Sequence, residues 1–408
     1  MSPSIRWGEM SGTRTAMSKR DIRRVQMMGL VDEGKRSLSA AAEVLDVSYR
    51  QAKRIYRRYR EEGPPGVVHR NVGRRSHRGL SEEFKARVIK QYREEYEGFG
   101  PTLAAEKLAE RDRLDVDHET LRRWLIAEGL WQTKRQRRQY RSRRERRHRF
   151  GELVQFDGSH HAWFEGRAEK CCLMNMIDDA TGTTLSFLEE QETTFGAMQL
   201  LWAWITRYGI PQGVYCDRKN AFVLDREPTI EEQLRGITPR SPFETACEKL
   251  GIEVIVARSA QAKGRVERNH GVYQDRFVKE LRLEGISEIQ AANEYLEGTY
   301  LDQVNRKFAK APIDSEDAHV PLLRDQSLAS IFCFEEQRVV SEDYVLQFER
   351  RLFQIQREKR RRPPAPGTPV TVQKWLNGSV HFLHDNKELL VEEIRQGRKK
   401  EEEQALSA

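Results

Sequence analysis

The sequence lacks the features that mark several protein classes. No apolar run approaches the roughly 18 residues needed to cross a bilayer. The first residues do not form the apolar core of a secretory signal peptide. Only five cysteines occur among 408 residues, and they form neither a CxxC pair nor an even set. A membrane protein and a disulfide-stabilised secreted domain are therefore disfavoured, and a reducing intracellular location is expected.

Charge is divided unequally along the chain. Residues 1–150 hold 37 lysines and arginines against 21 acidic residues, a net charge of +16, whereas residues 151–408 carry a net charge of −8. Hydrophobic residues make up 38% of the chain and charged residues 33%, which is typical of polar but folded domains. At roughly 150 residues per domain the length predicts two to four domains. The basic part is expected to bind a polyanion.

A helix-turn-helix is predicted at residues 17–66. Ser48 is a suitable N-cap for the second helix of the motif, on which apolar side chains recur on one face at helical spacing. The other face carries Arg50, Gln51 and Arg54. Arginine and glutamine can read guanine and adenine edges in the major groove, so we predict DNA binding. A small helical bundle with a solvated basic face is the alternative.

A second helix-turn-helix is predicted at residues 78–131. Asp117 can cap its last helix, on which Arg122 and Arg123 face outward. Two such units in tandem would read a longer DNA site than either unit alone.

An arginine-rich linker is predicted at residues 132–149. This segment contains ten lysines and arginines and one glutamate. Such a block can neutralise several DNA phosphates and would make binding strongly salt-dependent. The same segment also serves as a solvated connector between domains.

From Phe150 onward, short apolar strands alternate with helices, which predicts an α/β domain. Asp157 and Asp217 each follow a short predicted strand, and Glu267 lies near the start of a long helix. Strand ends at one edge of a mixed sheet can bring these carboxylates together. Three carboxylates without clustered cysteine or histidine favour Mg²⁺ or Mn²⁺. Two such ions about 4 Å apart can activate a nucleophile and stabilise the leaving oxygen of a phosphodiester.

Four segments of this domain carry a resemblance to a known family. They are Val154-Gln-Phe-Asp-Gly158, Met176-Ile-Asp-Asp-Ala-Thr181, Gly209-Ile-Pro-Gln-Gly-Val-Tyr-Cys-Asp217 and Gln261-Ala-Lys-Gly-Arg-Val-Glu-Arg-Asn269. Residues 150–290 resemble the integrase catalytic core of DDE transposases, which has a ribonuclease-H-like fold. Together with the tandem helix-turn-helix, the whole chain resembles insertion-sequence transposases of the ISNCY type. We expect the core to span residues 150–310.

The resemblance implies a site and its partners. Asp157, Asp217 and Glu267 would form the catalytic triad and bind two Mg²⁺ or Mn²⁺ ions, and Lys263 and Arg265 would lie beside a DNA phosphate. Double-stranded DNA, as element ends and as target, would be the partner, and the protein would act as a homo-oligomer on DNA.

The sequence departs from the family pattern at three points. The 49 residues between the second aspartate and the glutamate exceed the shortest spacing in the superfamily, and the excess is expected as a surface insertion. Arg218 replaces the polar residue that follows the second aspartate, and Ala260 replaces a proline. Neither change removes a metal ligand. No cysteine occurs in residues 1–150, so the zinc-binding domain that precedes the core in retroviral integrases is not expected.

Three pairs of polar or sulfur-containing residues have simpler interpretations. Asp178-Asp179 is expected to shape a turn rather than to bind metal. His160-His161 is expected on a surface turn, with a contact to metal or DNA as the alternative. Cys171-Cys172 is interpreted as a pair of strand residues of which one packs inward.

Residues 330–395 are predicted to form a small β-barrel-like domain. Asn377-Gly378 and Asp385-Asn386 are turn dipeptides between apolar strand segments. Such a module could hold DNA or another subunit, and a simple packing module is the alternative.

The predicted fold class is therefore multidomain: an N-terminal all-α tandem helix-turn-helix, a central α/β ribonuclease-H-like core with a mixed sheet, and a C-terminal small β-barrel. The predicted function is a bacterial cytoplasmic DNA transposase that binds terminal inverted repeats and performs metal-dependent 3′-end cleavage and strand transfer. A catalytically silent or domesticated DNA-binding regulator and a ribonuclease-H-like nuclease without strand transfer remain as alternatives.

Overall fold

A computed structural model describes residues 17–69, 79–132, 145–217, 222–224, 226–234, 236, 238–256, 264–324, 326–357 and 362–394. Contacts divide the chain into two compact units, Met1–Arg87 and Val88–Ala408. The helices are α1 (Lys19–Asp32), α2 (Leu38–Val44), α3 (Tyr49–Glu62), α4 (Glu82–Glu95), α5 (Pro101–Asp112), α6 (His118–Ala127), α7 (Thr194–Tyr208), α8 (Ile230–Leu234), α9 (Pro242–Lys249), α10 (Gly264–Leu283), α11 (Ile289–Tyr295), α12 (Leu301–Phe308) and α13 (Leu328–Ile331). The strands are β1 (Val154–His161), β2 (Cys171–Asp178), β3 (Thr184–Glu189), β4 (Gly213–Cys216), β5 (Glu253–Val256), β6 (Cys333–Val339), β7 (Val345–Phe348), β8 (Arg351–Ile355), β9 (Pro369–Trp375), β10 (Val380–His384), β11 (Lys387–Glu388) and β12 (Val391–Ile394).

Helices α1 to α3 form the first helix-turn-helix. Ser48 caps α3 by accepting a hydrogen bond from the backbone N–H of Gln51 at 3.3 Å, as the sequence predicted. Ile55 of α3 is buried in a small core with side chains of α1 and α2. Arg50, Gln51 and Arg54 are exposed on the opposite side of the helix. The predicted division of α3 into an apolar and a basic face is confirmed.

Helices α4 to α6 form the second helix-turn-helix. Asp117 caps α6 by accepting hydrogen bonds from two backbone N–H groups in its first turn, at 3.0 and 3.1 Å. Leu121 and Leu125 are fully buried, whereas Trp124 is only half-buried. The N-cap was therefore predicted correctly.

A five-stranded mixed sheet forms the centre of the second unit. Its strand order is β3-β2-β1-β4-β5, with β1, β2 and β3 antiparallel and with β4 and β5 parallel to β1. Side chains of α7 and α9 pack against one face, and those of α10 to α12 against the other. This order and these directions are those of a ribonuclease-H-like core, as predicted.

Strand β1 is longer than the sequence suggested. Asp157 was expected to follow a strand that ends at Phe156, but β1 continues to His161. The reason is the partner strand, because β2 is eight residues long and pairs with β1 along its whole length. Asp157 therefore lies within a strand, and the expectation that His160-His161 forms a surface turn is wrong.

Strand β2 buries more side chains than was predicted, and helix α7 buries one of its two tryptophans. Trp204 is fully buried, whereas Trp202 is only half-buried. Cys171 and Cys172 are both buried because β2 is covered on both faces, Cys171 in the cluster on the α10 side and Cys172 in the cluster on the α7 side. The expectation that only one of them packs inward is therefore wrong.

The C-terminal strands form two antiparallel sheets, in the orders β11-β10-β9-β6 and β12-β8-β7. Side chains from both sheets share one apolar core, which includes Leu346, Phe353 and Phe382. The all-β character of this region is confirmed, and closure of the sheets into a barrel stays a prediction. Residues 133–144 of the predicted linker lie outside the described residues.

Candidate active site

Strands β1 and β4 bring two of the predicted carboxylates to neighbouring positions. The strands run parallel, with Gln155 of β1 opposite Tyr215 of β4. This pairing ends at Gln155 and Tyr215; Asp157 lies two residues further along β1, and Asp217 directly follows the end of β4. Both aspartates are half-buried. Because side chains two residues apart share a face of a strand, Asp157 lies on the face of β1 that carries Gln155.

Helix α10 crosses this same face and carries the third carboxylate. The backbone N–H of Val266 donates to Oε1 of Gln155 at 3.3 Å. Two turns later, Nε2 of Gln274 donates to Oγ of Ser159 at 3.1 Å. Glu267 lies seven residues before Gln274 and hence on the same side of the helix. Glu267 is exposed and lies in the first turn of α10, one residue after the contact of Val266 with β1.

The buried carboxylate of Asp179 connects β1 to the start of α10 through hydrogen bonds. Oδ1 of Asp179, which is fully buried, accepts a hydrogen bond from Nη1 of Arg265 at 2.5 Å and one from Nε2 of Gln155 at 2.7 Å. Its other oxygen accepts from the backbone N–H of Arg147 at 2.8 Å. Arg265, which was predicted beside a DNA phosphate, is 16% exposed and forms an ion pair with this carboxylate. This ion pair holds the first turn of α10, the helix that carries Glu267.

Asp178 has the turn-forming role that the sequence suggested. Oδ2 accepts hydrogen bonds from the backbone N–H and the hydroxyl of Thr181, at 2.6 and 2.8 Å. Oδ1 accepts from the backbone N–H of Gly151 at 3.0 Å. Burial raises the pKa of Asp178 above its ordinary value, although these hydrogen bonds act in the opposite direction. The side chain closes the turn between β2 and β3.

Five of the residues predicted to contact DNA lie on two helices, α3 and α6. Arg50, Gln51 and Arg54 are exposed on α3 in the first unit. Arg122 on α6 makes two hydrogen bonds to the carboxylate of Glu119, at 2.6 and 2.7 Å, and these lower the pKa of Glu119. The guanidinium group of Arg123, the next residue on α6, donates to the side chain of Thr120 at 3.2 Å. Lys263 lies outside the described residues.

The chemistry of the triad fits a hard divalent cation. Its members offer carboxylate oxygens only, from Asp157, Asp217 and Glu267, and such ligands suit Mg²⁺ or Mn²⁺ better than a thiophilic metal. Among the described residues, the one group of potential ligands whose atoms all lie within 4.8 Å of one another is a different one, His160, Cys172 and Glu192. Three like charges repel one another, so a wider spacing of the triad is expected until a cation neutralises it.

Sequence reasoning missed the role of Asp179 and the length of β1. The signal for the strand was available, because Gln155, Asp157 and Ser159 are polar residues at alternate positions, the period of a strand with one polar face. No local signal identifies Asp179 as the partner of Arg265, because 85 residues separate the two along the chain.

Two family models match the N-terminal helices, and two curated relatives match most of the chain. Both models describe a homeodomain-like domain, one at residues 18–68 and the other at residues 51–125. The protein y4bF of Sinorhizobium fredii, which is named as a transposase, is 38% identical over 84% of this chain and 74% of its own length. The transposase for insertion sequence IS1202 of Streptococcus pneumoniae is 26% identical over 89% of this chain and 85% of its own length.

Solved integrase structures are similar to this chain at lower sequence identity than the two transposases. The intasome of simian T-cell lymphotropic virus in complex with PP2A regulatory subunit B56 gamma is 14% identical over 71% of this chain and 97% of that chain, with a TM-score of 0.33. The catalytic core domain of HTLV-2 integrase in complex with magnesium is 19% identical over 36% of this chain and 84% of that chain, with a TM-score of 0.27. Among the described residues, no helix has the length and apolar character needed to cross a membrane.

Proposed function

The chain belongs to the family of insertion-sequence transposases, and on that premise we propose that it cleaves and joins DNA at a metal site made by Asp157, Asp217 and Glu267. The observation that chiefly supports this proposal is the parallel register of β1 and β4, on the face crossed by α10. Asp157 lies in a strand, Asp217 directly follows one and Glu267 lies on a helix, and regular elements hold side chains more firmly than loops, as a reaction that needs exact placement requires.

Each part of the site has a distinct task in the proposed mechanism. Asp157 on β1 and Asp217 at the end of β4 would hold one side of the cation site, and Glu267 would close it from α10. Two Mg²⁺ or Mn²⁺ ions bound there would lower the pKa of an attacking hydroxyl and stabilise the leaving oxygen of a phosphodiester. Asp179 and Arg265 keep the first turn of α10 in register with β1.

The proposed reaction has two steps at the same site. In the first, water attacks the phosphodiester at the element end, and the bond to the 3′ oxygen breaks, which leaves a 3′-OH on the element and a 5′-phosphate on the flanking strand. In the second, that 3′-OH attacks a target phosphodiester, and a target 3′-OH leaves. Neither step needs a covalent bond between protein and DNA. Joining both ends of one element requires at least two copies of the chain on the DNA.

The test uses the full chain and the DNA that flanks its own reading frame. Labelled duplexes that carry the terminal inverted repeats are incubated with Mg²⁺, and both nicked and joined products are measured. We expect both products with Mg²⁺ and neither with EDTA. Nicking without joining would identify a nuclease, and binding without either product would identify a regulator; each result would overturn the proposal.

The first helix-turn-helix gives a second prediction, which concerns sequence recognition. Side chains near the start of a recognition helix contact base edges, and one good bidentate contact discriminates by about 1–3 kcal/mol. Arg54→Ala should therefore weaken binding to the element end roughly 5- to 100-fold while changing binding to shuffled DNA much less.

The matched control is Arg60→Ala, near the end of the same helix, where the side chain approaches Asp32 at 3.8 Å. Arg60 would act on DNA only through its charge, which carries no sequence information, so this variant should change binding to both DNAs by similar factors. Titration of both duplexes at a fixed salt concentration measures the ratio of the affinity for the element end to the affinity for shuffled DNA. Equal losses on both DNAs for Arg54→Ala would show that this residue does not read bases.

A further inference from the structure

A second group of potential metal ligands lies on the face of the sheet opposite the triad. It consists of His160 on β1, Cys172 on β2 and Glu192, which lies two residues before α7. One ligand atom from each of the three lies within 4.8 Å of the others. Because side chains alternate along a strand, His160 projects to the face opposite Asp157.

The backbone brings these three side chains together. His160 and Cys172 are directly opposite each other in the antiparallel register of β1 and β2. Glycine at position 158 leaves the space that the third ligand occupies. A Cβ atom there would lie 2.7 Å from Cδ of Glu192, 2.9 Å from its Oε1 and 3.0 Å from Sγ of Cys172. Only a residue without a side chain allows the carboxylate and the thiol to approach each other at this point.

Two of the three potential ligands have buried ligand atoms, and the third is exposed to solvent. Cys172 is fully buried, and Oε1 of Glu192 is buried as well. His160 is exposed, so an ion can reach the group from solvent. None of the five cysteines of the chain forms a disulfide.

We propose that His160, Cys172 and Glu192 bind one Zn²⁺ ion. Imidazole, thiolate and carboxylate are the three ligand types that zinc accepts, and a thiolate excludes Mg²⁺ as the preferred ion. In a tetrahedral site, zinc bonds of about 2.0–2.3 Å place neighbouring ligand atoms roughly 3.3–3.8 Å apart. The group therefore has to close by at most about 1.5 Å, and water takes the fourth position on the exposed side. The thiol releases its proton to solvent when the ion binds.

The proposed ion would stabilise the sheet on the face opposite the triad. It would join β1, β2 and the segment before α7, and β1 carries Asp157 only three residues before His160. Zinc should therefore raise the temperature at which the protein unfolds, since a ligand that binds only the folded state stabilises it. This inference does not depend on the proposed transposase activity.

The test replaces zinc by Co²⁺, whose spectrum reports its ligands. Titration of the reduced full chain should give the charge-transfer absorption of a cobalt–thiolate bond, at one cobalt–thiolate complex per chain. Co²⁺ bound at the triad has no thiolate ligand and does not contribute to this absorption. Zn²⁺ should abolish this absorption, and a large excess of Mg²⁺ should not. Cys172→Ala should remove the absorption, whereas Cys171→Ala, the matched control on the other face of β2, should keep it. His160→Gln should weaken Co²⁺ binding about 100-fold or more.

Two results would overturn the zinc site. One is a Co²⁺ complex without thiolate absorption, or with an absorption that Cys172→Ala leaves in place. The other is an unchanged Zn²⁺ affinity in both His160→Gln and Glu192→Gln. These two variants keep the buried thiol, so they decide the question even if Cys172→Ala does not fold.

Discussion

Asp157→Asn, Asp217→Asn and Glu267→Gln are each expected to slow end cleavage and end joining about a thousandfold, with binding of end DNA retained. Each substitution keeps the size of the side chain and removes one negative charge from the proposed cation site. Losing several kcal/mol of stabilisation of the transition state corresponds to a factor of that size. Single-turnover assays with Mg²⁺ measure the rates, and gel shift measures binding.

Stability separates loss of catalysis from loss of folding. Two of the three carboxylates are half-buried and the third is exposed. Without metal they repel one another, so removing one of them relieves strain. The three variants should therefore unfold in EDTA at the same temperature as the parent protein or a higher one. A lower unfolding temperature that matched the loss of rate would favour a structural role for these residues.

Two further variants sharpen this prediction. Asp275→Asn removes a carboxylate from the same helix as Glu267, but its side chain is 54% exposed and pairs with Lys279, so the rates should not change. Asp157→Cys should be inactive with Mg²⁺ and should recover part of its activity with Mn²⁺, which accepts a sulfur ligand more readily. Unchanged rates in all three triad variants would show that the reaction takes place elsewhere.

The order of the elements in the core could be predicted because their signals are local. Short apolar segments that alternate with amphipathic helices identified the strands and helices of the mixed sheet, and Ser48 and Asp117 were predicted N-caps that the structure confirms. The end of β1 could not be found in this way. Its last four residues are Gly158, Ser159 and two histidines, which have little strand propensity of their own, and they extend because β2 pairs with them.

Contacts between residues distant in the sequence were the other limit of prediction. Arg265 was assigned to DNA from its position in a motif, whereas its ion pair with Asp179 depends on how α10 crosses β1. His160, Cys172 and Glu192 meet only because of the register of β1 with β2 and the space beside Gly158. A pattern of residues along the sequence shows neither how α10 crosses β1 nor which residues of β1 and β2 are paired.

The second helix-turn-helix is fastened to α10 by a buried ion pair. Nζ of Lys107 on α5 lies 2.7 Å from Oε1 of Glu280 on α10, and their side chains are only 11% and 6% exposed. Nearby, Nη1 of Arg276 lies 2.6 Å from a carboxylate oxygen of Glu106. The same α10 carries Glu267 in its first turn. These contacts therefore connect a helix-turn-helix to the element that supplies the third carboxylate.

The raised pKa of Lys107 keeps its ammonium group protonated across the physiological range. Burial lowers the pKa of Lys107, but its hydrogen bonds to Glu280 and Glu110 outweigh that effect and hold the pKa above its ordinary value. A lysine whose pKa is raised by folding contributes its full stabilisation below about pH 10, its unfolded value. The contribution is lost only as the pH rises through the folded-state pKa, so measurements at pH 7 detect all of it.

Glu280→Ala is therefore expected to lower the free energy of unfolding of the second unit by about 3–5 kcal/mol, the usual result of leaving one partner of a buried pair behind. Of the two carboxylates that the described residues place beside the ammonium group of Lys107, Glu110 would remain, and its side chain is 61% exposed. Urea unfolding of the full chain, followed by tryptophan fluorescence and by circular dichroism, measures the change.

Two comparisons assign that loss to the buried charge. Arg111→Ala removes a neighbouring pair at 2.7 Å with Glu284, but both side chains are about 40% exposed, so the loss should be below about 1 kcal/mol. The double variant Lys107→Met with Glu280→Leu should recover most of the stability, because apolar side chains of similar size need no partner. If Glu280→Ala costs no more than Arg111→Ala, the pair is effectively solvated, and α5 is then held on α10 by its other contacts.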